Sequence, residues 1–219
     1  MIDVGNLIKN SWGLYKSHIS NLVLLGLIIL APTLLNALIM ALNIDGMAMA
    51  VISLLLGIAS IVTSIWGSAA IIIYIKELPK DINEPLKKAW EFFWPYLWLS
   101  ILVGLVTLVG FILLIIPGIV LAVFYSLAMY VLICENIRGW AAAKKSMNLI
   151  KNYWWAALGR FIVLLIVIYV PMMIISGIIG FAYQPAANLA TVILSLIAMP
   201  FAVIYSYKMY QNLKEIKKA

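Results

Sequence analysis

The stretch FIVLLIVIYVPMMIISGIIGFAYQPAANLATVILSLIAMPFAVIYSY, residues 161–207, contains 47 residues and no charged side chain. One membrane-spanning helix takes about 20 predominantly apolar residues. The stretch is therefore long enough for two crossings, and Tyr183-Gln184-Pro185 supplies a turn between them because proline cannot continue a helix. A run of this length and apolarity predicts an integral membrane protein.

Three further uncharged stretches lie upstream. Residues 92–134 hold two more helices divided at Pro117-Gly118, and residues 17–44 (with a neutral histidine) and 46–75 hold one each. The whole chain is 66% hydrophobic and 11% charged, whereas about a quarter of the residues of a soluble domain are charged. The predicted fold is an all-α integral membrane protein with six transmembrane helices near residues 19–42, 48–75, 95–116, 118–136, 157–182 and 187–209.

The charges between these helices predict the topology. All 15 lysines and arginines lie before helix 1, between helices 2 and 3, between helices 4 and 5, or near the end of helix 6. The turns on the other side carry one charge, Asp45. Basic residues collect on the cytoplasmic side of membrane proteins, so both termini are expected in the cytoplasm. The net charge of +7 then reflects this bias. Nucleic-acid binding would need a soluble basic face, and no soluble domain is long enough to carry one.

Three cytoplasmic segments have an amphipathic helical pattern, with lysines and amides opposite an apolar face. This pattern is typical of a helix lying in the membrane interface. The three apolar faces are Val4, Leu7, Ile8, Trp12 and Tyr15; Ile82, Leu86, Trp90, Phe93 and Trp94; and Trp140, Ala143, Met147, Ile150 and Trp154.

The three segments also resemble one another. Ile8-Lys9-Asn10-Ser11-Trp12 aligns with Leu86-Lys87-Lys88-Ala89-Trp90 and with Ala143-Lys144-Lys145-Ser146-Met147, and each precedes two crossings. The chain is therefore interpreted as a single transmembrane domain, 1–219, of three parallel hairpin repeats at about 3–76, 81–136 and 138–210, each preceded by a cytoplasmic-side amphipathic helix, with a short basic tail at 211–219. Convergence on a common amphipathic pattern is the alternative interpretation.

Lysines on these segments are candidate ligands for phospholipid headgroups, since a lysine near an anionic membrane surface contributes about 1 kcal/mol. The candidates are Lys9, Lys87, Lys88, Lys144, Lys145 and Lys151. Glu135, at the predicted end of helix 4, lies near Arg138. Lys144 and Lys145 follow one to three helical turns later. These charges are interpreted either as an ion-pair cluster that ends the helix and fixes the next interfacial segment, or as a switch or headgroup-recognition site.

Prolines interrupt several apolar runs. Pro32, Pro171 and Pro200 fall near the middle of helices, and Asn36 follows the first of them. Proline removes a backbone hydrogen bond and can kink a helix, and broken helices at the midplane occur in transporters. These four residues are therefore candidates for a helix break or a cavity, although prolines are also found in membrane proteins without transport activity.

Ser60, Ser64 and Ser68 form a stripe of small residues on helix 2. Such a stripe lets another helix approach closely. The second helix can belong to the same bundle, to another copy of the chain or to a membrane-protein partner.

Little in the sequence points to catalysis. An intramembrane enzyme needs facing ionisable groups or a metal cluster, and the chain has a single histidine, His18, and a single cysteine, Cys134. We therefore expect no enzyme activity, no metal site and no cofactor.

One region resembles a known family. Ile116-Pro117-Gly118-Ile119, Ser126-Leu127-Ala128, Glu135, Gly139 and Ala143-Lys144-Lys145-Ser146 are similar to a pattern in the superfamily of bacterial and archaeal polytopic proteins related to the membrane domain of glycerophosphoryl diester phosphodiesterases. The match departs at Met147, where an aromatic residue is usual, and at Phe124 or Tyr125, where an arginine is frequent. The resemblance implies a prokaryotic inner-membrane protein with paired helices and amphipathic connectors, and it implies no catalysis.

Two functional hypotheses follow from these observations. The first is a non-enzymatic inner-membrane protein that binds membrane lipids, a membrane-protein partner or a further copy of itself. The second is a transporter or flippase for an apolar or amphiphilic solute, suggested by the prolines within the helices.

Overall fold

The computed structural model describes residues 3–41 and 46–217. Within these ranges the chain is all α-helical and contains no strand. Asp45, the single charge expected on the far side of the membrane, and Lys218, in the predicted basic tail, lie outside the described residues.

The helices follow one another with short connections. They are α1 (Val4–Ser17), α2 (Ile19–Ala41), α3 (Met47–Glu77), α4 (Asn83–Leu113), α5 (Ile115–Tyr125), α6 (Ala128–Glu135), α7 (Trp140–Ile150), α8 (Trp154–Ala182) and α9 (Gln184–Ile216), with a 3₁₀ turn at Lys151–Tyr153 before α8.

Six helical segments of the described chain are long and apolar enough to cross a membrane. They are Ile19–Met40, Met47–Glu77, Asn83–Leu113, Ile115–Glu135, Trp140–Ala182 and Ala186–Ile216. The predicted number of crossings is therefore confirmed at the level of length and composition, and the chain is a multi-pass membrane protein.

The second hairpin turns earlier than predicted. The break lies at Leu114, which is extended (φ −164°, ψ 151°), and Pro117 falls in the first turn of α5. Proline is tolerated in a first turn because the backbone N–H groups there have no partner within the helix. A Cβ on Gly110 would lie 3.0 Å from the Cα of Gly118, so the lack of side chains lets α4 and α5 cross at close range.

The predicted helix at 118–136 is two helices, because Ser126 and Leu127 interrupt it. The Ser146 hydroxyl, fully buried on α7, accepts a hydrogen bond from the Leu127 N–H (3.2 Å) and donates one to the Phe124 carbonyl (2.7 Å). Ser146 thus satisfies two backbone groups at the interruption, which would otherwise be costly to bury.

None of the three mid-helix prolines ends its helix in the described structure. α2 continues through Pro32, α8 through Pro171 and α9 through Pro200. Neighbouring helices and local adjustments can compensate for the hydrogen bond that proline lacks within a membrane. Pro200 is buried, and a Cβ on Gly26 would lie 3.6 Å from its Cγ, so this proline is part of the α2–α9 contact.

Successive spans pack as neighbours: α2 with α3, α4 with α5, and α8 with α9. The amphipathic segments pack elsewhere. α1 packs mainly on α9, and α7 packs on α5 and α6. Residues 83–94 form no separate helix, since they are the start of α4, and the Trp66 indole of α3 donates to the Leu86 carbonyl there (2.9 Å).

The serine stripe on α3 faces partners within the described bundle. The Ser60 and Thr33 hydroxyls are 3.1 Å apart, which joins α3 to α2, and Ser68 hydrogen-bonds the Tyr96 hydroxyl of α4. The stripe therefore contributes to packing within one chain, while Ser64 is exposed.

The best-buried part of the bundle lies where α3, α6 and α9 end. Tyr74, Leu132 and Leu213, each near the end of its helix, are at most 1% exposed. The lysines and carboxylates at the ends of these helices, together with those at the starts of α4 and α7, define what is called the basic end below.

Candidate functional site

A cavity of about 540 Å³ opens at the basic end between α6, α7 and α9. Four lysines and one carboxylate line this cavity, hereafter the lysine cavity. Its lining residues are Glu135, Ala141, Lys144, Lys145, Asn148, Leu149, Lys214 and Lys217.

A reversal of the chain after α6 brings α7 into the wall of this cavity. α6 ends at Glu135, Asn136 takes the left-handed conformation (φ 53°), and Gly139 just before α7 also has a positive φ (59°). Asparagine and glycine adopt this conformation more readily than other residues. α7 then presents Lys144, Lys145 and Asn148 within about one turn.

Glu135 organises the cavity. Its side chain is 12% exposed, and it accepts hydrogen bonds from Lys145, from the Tyr210 hydroxyl (2.5 Å) and from Lys214 (3.2 Å). An ionised carboxylate is an acceptor only, so it suits three donors. Through these contacts Glu135 joins the end of α6 to both α7 and α9.

A second contact ties α9 to α7, because the Lys217 ammonium donates to the Asn148 carbonyl. Lys144 is exposed, and among the described residues no ion pair engages it. Three of the four lysines are therefore held by the protein, and Lys144 is the cation in this cavity that remains open to a ligand.

The lysine cavity brings together only some of the predicted residues. It contains Glu135, Lys144 and Lys145. Arg138 is exposed and makes no ion pair with Glu135 in the described structure, whereas Lys145, another residue of the expected ion-pair cluster, does pair with it. The left-handed turn at Asn136 changes the chain direction between the two residues.

The other candidate lysines lie outside the cavity. Lys88 pairs with Glu77 (2.7 Å) and Glu84 (3.0 Å), which occupies its charge. Lys9, Lys87 and Lys151 are exposed on other parts of the surface.

The contribution of α9 to the lysine cavity was not predicted from the sequence. The predicted tail at 211–219 is helical as far as Ile216, and it supplies Lys214 and Lys217 to the cavity. Ser206, Met209, Tyr210 and Leu213 are buried, and their spacing continues the apolar face of a helix. That periodicity was the signal for a docked helix end.

An apolar groove of about 380 Å³ lies between α1, α8 and α9. Of the four candidate break or cavity residues it includes only Pro171, and its lining is Ile8, Trp12, Val167, Ile168, Pro171, Met172, Ile175, Leu194, Ile197, Ala198 and Phe201. Pro32 and Asn36 are half-buried on α2. The Asn36 amide oxygen makes no hydrogen bond within the described residues.

The described residues contain no group of three His, Cys, Asp or Glu side chains able to hold a metal ion. The His18 Nδ1 lies 2.8 Å from the Ser17 hydroxyl and 3.3 Å from the Leu14 carbonyl. These contacts are local to the end of α1.

Comparison with known proteins adds no relative to these observations. No family model matches the chain, and neither a curated protein nor a solved structure matches it.

Proposed function

We propose that this chain is a non-enzymatic protein of the prokaryotic cytoplasmic membrane that binds an anionic lipid headgroup in the lysine cavity. The observation that carries the proposal is the cavity itself, in which four lysines surround one carboxylate. Basic residues favour the cytoplasmic side, so the basic end and both terminal segments are placed in the cytoplasm. We also propose that the chain is related to the membrane domain of glycerophosphoryl diester phosphodiesterases.

The charges of the cavity favour an anion at the depth of the headgroups. Four lysines and Glu135 leave an excess of three positive charges. A lysine near an anionic membrane surface contributes about 1 kcal/mol of attraction. Basic pockets at the cytoplasmic ends of transmembrane helices are known sites for lipid headgroups.

Native mass spectrometry of the protein released from mild detergent tests this function. The wild type should retain discrete anionic lipid, and the Lys144→Gln/Lys145→Gln variant should lose most of it. The matched control is Lys76→Gln/Lys80→Gln, which removes two charges from exposed lysines outside the cavity. Equal retention by both variants would show that the lipid is held elsewhere.

We further propose that the architecture is three parallel hairpin repeats, each led by an amphipathic segment at the membrane interface. Three observations support this. The aligned residues Ser11, Ala89 and Ser146 are all fully buried. Aligned lysines pair with the end of the preceding span, Lys88 with Glu77 and Lys145 with Glu135. Each amphipathic segment packs on the hairpin before it, and α1 closes the series on α9.

In this proposal, some residues of each amphipathic segment pack on the bundle and others contact the membrane interface. On α1, Leu7 and Tyr15 are buried in the bundle, whereas Trp12 is 44% exposed. Trp90 and Trp94 at the start of α4 are also exposed. Tryptophan is enriched at the membrane interface, so these side chains are assigned to it.

The alternative function is a transporter or flippase for an apolar or amphiphilic solute. The apolar groove supports it, because Pro171 lines this groove between α1, α8 and α9 together with apolar side chains. A fluorescent-lipid flipping assay in proteoliposomes tests it, with Ile168→Trp chosen to fill the groove. Flipping by the wild type that this variant abolishes would favour transport over binding alone.

A further inference from the structure

We infer that the lysine cavity selects a phosphomonoester group, the dianionic end of either a lipid or a soluble phosphate ester. This inference rests on the proposed anion-binding function and narrows it to one ligand chemistry. We expect the lysine cavity to bind a phosphodiester headgroup or a carboxylate more weakly than a phosphomonoester.

Charge is the first reason. Glu135 neutralises one of the four lysines, and three positive charges remain. A phosphodiester carries one negative charge, whereas a phosphomonoester carries about 1.5 to 2 at neutral pH. The monoester therefore leaves less uncompensated charge in the cavity.

The arrangement of donors is the second reason. Lys145 binds one oxygen of the Glu135 carboxylate, and Lys214 lies 3.2 Å from the other. The two ammonium groups are therefore held close together, and each keeps further N–H donors, because an ammonium has three. A phosphomonoester offers three terminal oxygens to such donors, and a diester offers two.

Pre-organisation is the third reason. Glu135 fixes Lys145 and Lys214, and the Asn148 carbonyl fixes Lys217. Donors that are already ordered lose less conformational entropy when a ligand binds. Only the exposed Lys144 has to become ordered, so we assign it the role of closing over the phosphate.

The cavity also has room for the carbon part of the ligand. Its volume of about 540 Å³ exceeds that of a phosphate group and lies within the range of small-molecule sites. Ala141 and Leu149 provide apolar wall beside the lysine stems. The glyceryl unit of a lipid headgroup or a small polyol phosphate would therefore fit against these residues.

The test measures lipid retention in nanodiscs of phosphatidylcholine that contain either phosphatidic acid, a monoester, or phosphatidylglycerol, a diester. We expect phosphatidic acid to be retained roughly tenfold more tightly. Lys144→Gln should reduce this preference severalfold, because it removes the closing cation and leaves the contacts of Glu135 in place. Lys80→Gln is the matched control, and it should leave the preference unchanged.

The outcomes separate this inference from the proposed function. Equal retention of the two lipids, lost in Lys144→Gln/Lys145→Gln, would overturn the monoester preference and leave anionic-lipid binding standing. Retention that no cavity variant changes would overturn both. Competition with glycerol 3-phosphate identifies the source of a monoester: displacement of the lipid indicates a soluble ester, and lack of displacement indicates a lipid.

Discussion

Replacement of Glu135 by glutamine should destabilise the protein, because Glu135 holds α6 against α7 and α9. Glutamine keeps the size of the side chain and removes its charge. Lys145, Lys214 and the Tyr210 hydroxyl then donate to a neutral amide oxygen or lose their partner. At the same time the excess positive charge of the cavity rises by one.

The magnitude follows from the three contacts. A hydrogen bond to a charged group contributes about 1.5–3 kcal/mol and a neutral one about 1 kcal/mol, so three weakened bonds lose about 1.5–6 kcal/mol in all. The Lys145 and Lys214 side chains are 42% and 35% exposed, and water reduces the loss at both. We therefore expect about 2 kcal/mol, or roughly 4–8 °C in Tm for a chain of this size.

Two matched variants calibrate the measurement, which is thermal unfolding in detergent followed by tryptophan fluorescence. Glu77→Gln removes a carboxylate that is 35% exposed and pairs with Lys88, and it should cost less than about 1 kcal/mol. Glu215→Gln changes an exposed acid on α9 and should have almost no effect. If Glu135→Gln lowers Tm no more than Glu215→Gln does, Glu135 does not hold α6 against α7 and α9.

Three other predictions concern packing. Ser146→Ala should cost about 1–3 kcal/mol because it leaves the Leu127 N–H unsatisfied, whereas Ser11→Ala, which removes a bond to the Leu7 carbonyl of the same helix, should cost less in the same unfolding assay. Gly67→Ala should lower Tm, since its Cβ would lie 2.0 Å from the Ile29 Cγ1, whereas Gly57→Ala meets nothing within 4 Å and should be neutral or stabilising by up to about 1 kcal/mol. The Trp12 and Phe201 rings are 6.0 Å apart, so cysteines at these two positions in a Cys134→Ala background should crosslink with a short thiol reagent, as read by peptide mass spectrometry. Cysteines replacing Trp12 and Phe181 should not crosslink. Crosslinking of that second pair would contradict the packing of α1 on α9.

The number of crossings could be predicted from the sequence because it depends on local composition. Long uncharged stretches such as 161–207 leave a helix in lipid as the available structure. The turn of the second hairpin could not be placed from Pro117, because proline is compatible both with a turn and with the first turn of a helix. The close approach of Gly110 and Gly118 decides between them, and it is a contact between helices.

The candidate site was predictable only where its residues lie near one another in the sequence. Lys144 and Lys145 were found from their place on an amphipathic helix. Lys145 was also an expected partner of Glu135. Tyr210 and Lys214 were not, because they reach Glu135 through the packing of α9. Arg138 is close to Glu135 in the sequence, which suggested an ion pair between them. The chain turns at Asn136, which is left-handed, and Arg138 is not among the residues that line the lysine cavity.

The start of α4 packs on α3, α7 packs on α5 and α6, and α1 packs on α9. These contacts have a consequence for chain connectivity. Contacts that cross from one hairpin to the next hold the bundle together, such as the bond from the Trp66 indole to the Leu86 carbonyl. We therefore expect two separately translated fragments, divided within residues 78–82, to find each other in the membrane and rebuild the same bundle by complementation.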